Sequence, residues 1–107
     1  KRQPQQVSTQ HDKKNMNFSL HQNYPNPFNP LTKLAYNLPH SNLVTITIYD
    51  MLGNVVNNLL NEYQDSGYRS IIWDATNNKN EPVSAGFYFY TVQTGEFSQT
   101  KKMILLK

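Results

Sequence analysis

The chain has 107 residues, 37% of them hydrophobic and 16% charged, so it closes one modest core and has no material for a second. Its 12% aromatic residues and single Trp supply bulky apolar surface that a disordered chain lacks, and the absence of Cys removes disulfides, thiolate zinc sites and cysteine catalysis together. The net charge of +3 is split between Lys1, Arg2, Lys13 and Lys14 at one end and Lys101, Lys102 and Lys107 at the other. With no continuous basic stripe, a nucleic-acid partner is not expected.

Residues 1–17 carry Val7 and Met16 as their large apolar residues among Gln, Lys, Asn and Ser, which is the composition of a linker or N-terminal arm. They also lack the apolar core of a signal peptide, so targeting is not expected from this N-terminus. The folded body is expected over residues 18–107, with residues 18–20 as the first strand. Tyr24-Pro25-Asn26-Pro27-Phe28-Asn29-Pro30 follows, its three prolines predicting a rigid loop held extended. Phe28 at its centre is expected to plug the core. In residues 34–38, Leu34, Tyr36 and Leu38 alternate with other residues and Pro39 stops the run, the pattern of a second strand.

Residues 44–49 give the plainest strand: Val44, Ile46 and Ile48 face one way, the two Thr the other, and β-branched residues run through it. Asp50-Met51-Leu52-Gly53 supplies a hairpin turn, with Gly53 free to take positive φ, and residues 55–60 return as its partner. Gly67 opens a strand over residues 68–73. Residues 74–80 follow it as a plain hairpin rich in turn formers. Residues 86–92 are aromatic on both faces, and Thr94-Gly95-Glu96 turns them into a last strand over residues 97–106. No segment has the period of a helix.

About seven short strands without a helical crossover predict an all-β fold, an antiparallel immunoglobulin-like or fibronectin-like β-sandwich. Trp73, Tyr36, Phe28, Val44, Ile46, Ile48 and Tyr88 are its expected core.

Catalytic constellations are missing from this sequence. His11, His21 and His40 are dispersed with no carboxylate at ligand spacing. Asp74, Asn77, Asn78, Asn80 and Glu81 cluster oxygen ligands, but Lys79 would bring a cation among them and the spacing departs from a calcium loop, so turn formation accounts for them better. Neither a nucleophile elbow nor a phosphate-binding loop occurs. No metal, no cofactor and no enzymatic activity are expected of this domain. A sugar-stacking platform, with Phe87 and Phe89 on one face, remains an alternative as an accessory module of a secreted enzyme.

Taken in order, Tyr24-Pro25-Asn26-Pro27-Phe28-Asn29-Pro30, Leu34-x-Tyr36-x-Leu38-Pro39, Val44-x-Ile46-x-Ile48-Tyr49-Asp50-x-x-Gly53, Trp73-Asp74, Pro82-Val83-x-x-Gly86-x-Tyr88-x-Tyr90 and Lys102-Met103-x-Leu105-Leu106-Lys107 resemble the type A C-terminal sorting domain of the type IX secretion system, over residues 18–107. The flagellar hook-capping immunoglobulin-like domain is similar over the same stretch, chiefly residues 86–92. The sorting resemblance implies a sandwich at the end of a secreted cargo, carried through the periplasm to the cell surface or exterior. Its implied partners are the outer-membrane secretion machinery, a sortase-like protease and the upstream cargo domain. Recognition by the machinery would then fall on Pro82, Gly86, Tyr88, Lys101, Lys102, Leu105, Leu106 and Lys107. Ala75 and Asn80 stand where the family commonly has Gly, so that turn is expected to differ in shape, with Asn80 still able to take positive φ. A rival reading is a structural subunit, a homo-oligomer in an extracellular filament.

Overall fold

A computed structural model of the protein describes residues 17–106. Most of the expected linker, residues 1–16, and the terminal Lys107 lie outside the described residues. Seven strands form: β1 (Ser19–Leu20), β2 (Thr32–Leu38), β3 (Asn42–Tyr49), β4 (Val55–Gln64), β5 (Gly67–Trp73), β6 (Gly86–Thr94) and β7 (Phe97–Leu105). They pair antiparallel in two sheets, ordered β1-β2-β5 and β4-β3-β6-β7. The all-β sandwich expected from the alternation of apolar residues is therefore the architecture observed.

The core lies between the sheets because period-two alternation delivers one face of each strand to it. Val44, Ile46 and Ile48 of β3, Leu34 and Tyr36 of β2, and Tyr90 and Val92 of β6 are all fully buried. Trp73 joins them from the end of β5, and its indole N–H donates to the Thr76 carbonyl at 2.9 Å. Phe28 packs on Trp73 at 5.8 Å between ring centroids, and Trp73 meets Tyr88 edge-on at 5.6 Å. These tilted arrangements suit the quadrupoles of the rings. Every residue expected in the core is found there.

The β3–β4 pair departs from simple alternation. Its register shifts between Ile46 and Thr47 and again between Ile48 and Tyr49, leaving Leu59 and Val56 as extra residues on β4. Both pack against the core as partly buried side chains. Each bulge thus returns an apolar residue to the inner face, which explains how Val55-Val56-Asn57-Asn58-Leu59-Leu60 forms a strand without a binary pattern. The turn before it is held by Asp50, whose Oδ1 accepts from the Leu52 and Asn54 amides at 2.9 Å each. Those donors, the Asn54 amide foremost, hold the Asp50 carboxyl below the usual carboxylate range. Gly53 takes φ 89° there, a conformation that suits a residue without Cβ.

Residues 74–80 turn back as their composition suggests, Asn80 N–H donating to the Asn77 carbonyl and Asn77 N–H to the Glu81 carbonyl, but the turn does not join β5 to β6 within one sheet. β5 and β6 belong to different sheets, and the segment crosses between them with one isolated bridge, Thr76 to Pro82. Ala75 and Asn80 both adopt φ 63°, which breaks the extended path at each end. Asn77 Oδ1 accepts from the Lys79 and Glu81 amides at 2.8 and 3.0 Å, closing the tip. The turn formers are real, but they serve a change of sheet.

Thr94, at the inner end of β6, is 3% exposed, and its hydroxyl oxygen has no hydrogen-bond partner among the described residues. Burying an unpaired hydroxyl costs stability that an isosteric methyl does not. Replacing Thr94 with Val should therefore raise the urea midpoint, by about 1 kcal/mol in unfolding free energy.

Candidate functional site

The end of the second sheet where β6 begins and β7 stops collects most of the residues singled out from the sequence. Gly86 pairs with Leu105, Phe87 with Ile104, Tyr88 with Met103 and Phe89 with Lys102. Gly86 adopts φ 145°, and a Cβ added there would meet no atom within 4 Å. Its glycine is required by backbone conformation, with no crowding at the position. Tyr88 points inward, 7% exposed, and its hydroxyl donates to the Ser84 carbonyl at 2.6 Å. Burial pushes the Tyr88 phenol up, and the Asp50 carboxylate adds to the shift. Leu105 is 1% exposed, whereas Leu106, one residue on, is 57% exposed.

The two lysines differ in the same way. Lys102 lies on the outer face with its Nζ 5.1 Å from the centre of the Phe87 ring, a cation–π contact on an exposed surface. Lys101 is half-buried opposite Tyr90, farther along β7. Pro82 sits in the crossing segment, exposed and bridged to Thr76. Gly86, Tyr88, Lys102, Leu105 and Leu106 are thus brought together; Pro82 and Lys101 stand apart from them. Lys107 is outside the described residues.

The outer edge of β7 at this end is closed by the proline loop. The Phe28 amide donates to the Ile104 carbonyl at 3.0 Å, and the Leu106 amide donates to the Phe28 carbonyl at 2.9 Å. Side chains extend the imitation of a strand: Asn26 Oδ1 accepts from the Ile104 amide at 3.0 Å, and Gln22 Nε2 donates to the Lys102 carbonyl at 2.9 Å. Phe28 is 1% exposed, the plug expected of it. The loop does not run extended as its prolines suggest. It returns on itself, Tyr24 and Lys33 exchanging backbone hydrogen bonds of 3.0 and 2.9 Å, and its three X-Pro bonds are cis.

What anchors the loop is a buried polar cluster that sequence reasoning missed. Asn23, 2% exposed, donates from its amide nitrogen to Pro25 O and Thr32 Oγ1, while Thr32 Oγ1 donates to Pro25 O at 2.8 Å. The Asn23 backbone N–H donates to the Tyr90 hydroxyl at 2.8 Å, and that hydroxyl donates to the His21 carbonyl at 2.9 Å. Tyr90 is an inner-face core residue whose polar tip reaches the other sheet's loop. A tyrosine alternating with apolar residues in β6 was the available signal, but nothing in the sequence names a partner 67 residues away.

An antiparallel sandwich of this size, without a helix among the described residues and with the end of its final strand bound by a proline loop, has the architecture of an immunoglobulin-like domain. The chain belongs to the secretion system C-terminal sorting domain family, whose sequence profile matches residues 22–106. Such domains are non-catalytic signals of the type IX route, and they mark proteins for the cell surface or exterior. Among solved structures, it is similar to dimeric latent PorU from Porphyromonas gingivalis, at 24% identity and TM-score 0.67 over 83% of this chain and 9% of that one. It is also similar to FlgD from P. aeruginosa, at 30% identity and TM-score 0.56 over 69% of this chain and 58% of that one. PorZ, an essential surface component of the type IX secretion system of P. gingivalis, matches at 18% identity and TM-score 0.56 over 82% of this chain and 11% of that one. The chain thus spans a small part of PorU and PorZ and under two thirds of FlgD. No curated protein matches it significantly in sequence.

Burial holds the Tyr90 phenol up at about 12, although the Asn23 amide pulls the other way. An unfolded tyrosine titrates near 10, so Tyr90 contributes stability that is complete below pH 10 and lost as pH rises through 12. Replacing Tyr90 with Phe should make the alkaline unfolding curve shallower in that window. At neutral pH it should cost about 1–3 kcal/mol by orphaning the Asn23 N–H, with faster amide exchange at Ile104 and Leu106.

Proposed function

We propose that the type IX machinery in the outer membrane recognises this domain through the end of β7, and that the buried members of the site act by shaping that end. Lys102 and Leu106, with Lys107 after them, would be the residues presented to a receptor. Gly86, Tyr88 and Leu105 would set the strand's path, Pro82 the entry of β6, and Lys101 the flank. The observation that carries this reading is the split between adjacent residues: Leu105 fills the core while Leu106 stands 57% exposed although its backbone is pinned to Phe28. A pinned backbone with a free apolar side chain presents contact surface at low entropic cost.

The protein that this domain would carry lies upstream, and its activity would be that of the cargo. A sortase-like protease would release the domain by cutting within residues 1–17, where the composition offers no core residues to protect the backbone. N-terminal sequencing of exported material locates the cut, and a cut within residues 44–92 would contradict this assignment.

Residues 1–107 fused to a reporter should carry it to the surface or medium of a type IX-competent bacterium, and a reporter retained in the periplasm would refute the proposal. Two substitutions separate recognition from folding. Leu105→Ala should lower stability by about 2–5 kcal/mol, the usual range for a buried leucine. Leu106→Ala should leave the melting temperature unchanged and reduce export; equal destabilisation by both would make the tail core alone.

A further inference from the structure

Four strand edges terminate the two sheets, and three of them carry a device that blunts them over at least part of their length. β1 has two residues, too few to template a neighbour. The edge of β4 is broken by its two bulges and is occupied by Asn78, whose N–H donates to the Val56 carbonyl at 3.1 Å and whose Oδ1 accepts from the Asn58 amide at 2.8 Å. The edge of β7 is held from Lys102 to its end by Gln22, Asn26 and Phe28. Natural sheets blunt their edges by such devices.

β5 is different. Its seven residues pair with β2 in continuous register from Gly67 to Trp73. Among the described residues, no backbone hydrogen bond outside the sheet ladders reaches them. The strand contains neither Pro nor Lys, and its one charge, Arg69, is half-buried in the inward-facing register of Ile71 and Trp73. Outward stand Tyr68, 59% exposed, Ser70, and Ile72, 53% exposed.

We propose that this edge pairs with the same edge of a second copy of the chain, antiparallel about a dyad at Ser70. The strand is self-complementary in that register. Ser70 meets Ser70, Tyr68 meets Ile72 on the outer face, Arg69 meets Ile71 on the inner face, and Gly67 meets Trp73. Aromatic and β-branched residues oppose each other favourably across strands, and no like charges meet. Ser70 is the centre that uses all seven residues; a dyad at Arg69 would set two guanidinium groups face to face. Each copy gives the same edge to the dyad, so the pairing is isologous and consumes that edge on both, joining the three-stranded sheets into one of six strands.

The test uses the chain's lack of cysteine. Opposed Cα atoms in an antiparallel pair lie about 4.5–5.5 Å apart, within disulfide reach. Ser70→Cys should therefore crosslink to a dimer under glutathione disulfide, while Ser98→Cys, exposed on β7, should stay monomeric. In analytical ultracentrifugation, Ser70→Lys and Ser70→Glu should each weaken self-association by about tenfold or more, at an unchanged melting temperature. An equal mixture of the two should restore it. A chain that stays monomeric at all concentrations, sediments as a polymer, or dimerises equally in both charge variants and their mixture would overturn the proposal.

Discussion

One residue of the proline loop, Phe28, joins the beginning of the folded chain to its last strand, and the arrangement of that end depends on it. Its N–H and C=O engage Ile104 and Leu106 on the outer edge of β7, while its ring lies buried against Trp73. Trp73 in turn meets Tyr88 of β6 and holds the Thr76 carbonyl of the crossing segment. Backbone pairing and apolar burial thus converge at one position: the ring is buried where the loop reaches β7, beside the Asn26 and Gln22 contacts to the same edge. The buried hydroxyl of Tyr90 fixes the distance from the other side.

Asn and Gln make up about a fifth of the chain, and the structure shows what they replace. Asn26 and Gln22 stand in for a strand beside β7, Asn78 does so beside β4, Asn77 closes the crossing tip and Asn23 organises the proline loop. An amide side chain offers both a donor and an acceptor in peptide-like geometry, so it satisfies a strand edge as a peptide would. At Asn23, which is buried, a carboxylate or ammonium would carry a desolvation cost as well.

The strands that were legible in the sequence are those whose inner and outer faces differ. Val44, Ile46 and Ile48, and likewise Leu34, Tyr36 and Leu38, face a core on one side only, so alternation locates them. Phe28 was legible as a plug because a large aromatic in a stiff loop has few other places to go. The bulges of β4 were not, since a bulge is an exception to alternation and its register depends on the partner strand. Nor was the change of sheet after Trp73, because Asp74-Ala75-Thr76-Asn77 has the composition of a turn whether the chain doubles back or crosses over. In the site, the motifs located the end of β7 but could not separate Leu105 from Leu106, or reveal that Asn23, Asn26 and Gln22 hold the edge. Those are contacts between residues far apart in sequence, and local patterns contain no record of them.

The Asn26–Ile104 hydrogen bond spans 78 positions, nearly the whole described chain. During synthesis the proline loop is made long before its partner strand exists, and β7 acquires its outer neighbour only when the rest of the sandwich has closed. A chain truncated near its end, or one whose sheets have failed to join, would hold the residues around the end of β7 in a different shape. The conformation of the last strand is therefore a certificate of completion, and under the recognition proposed above a receptor would inspect the integrity of the fold at the same moment as its destination.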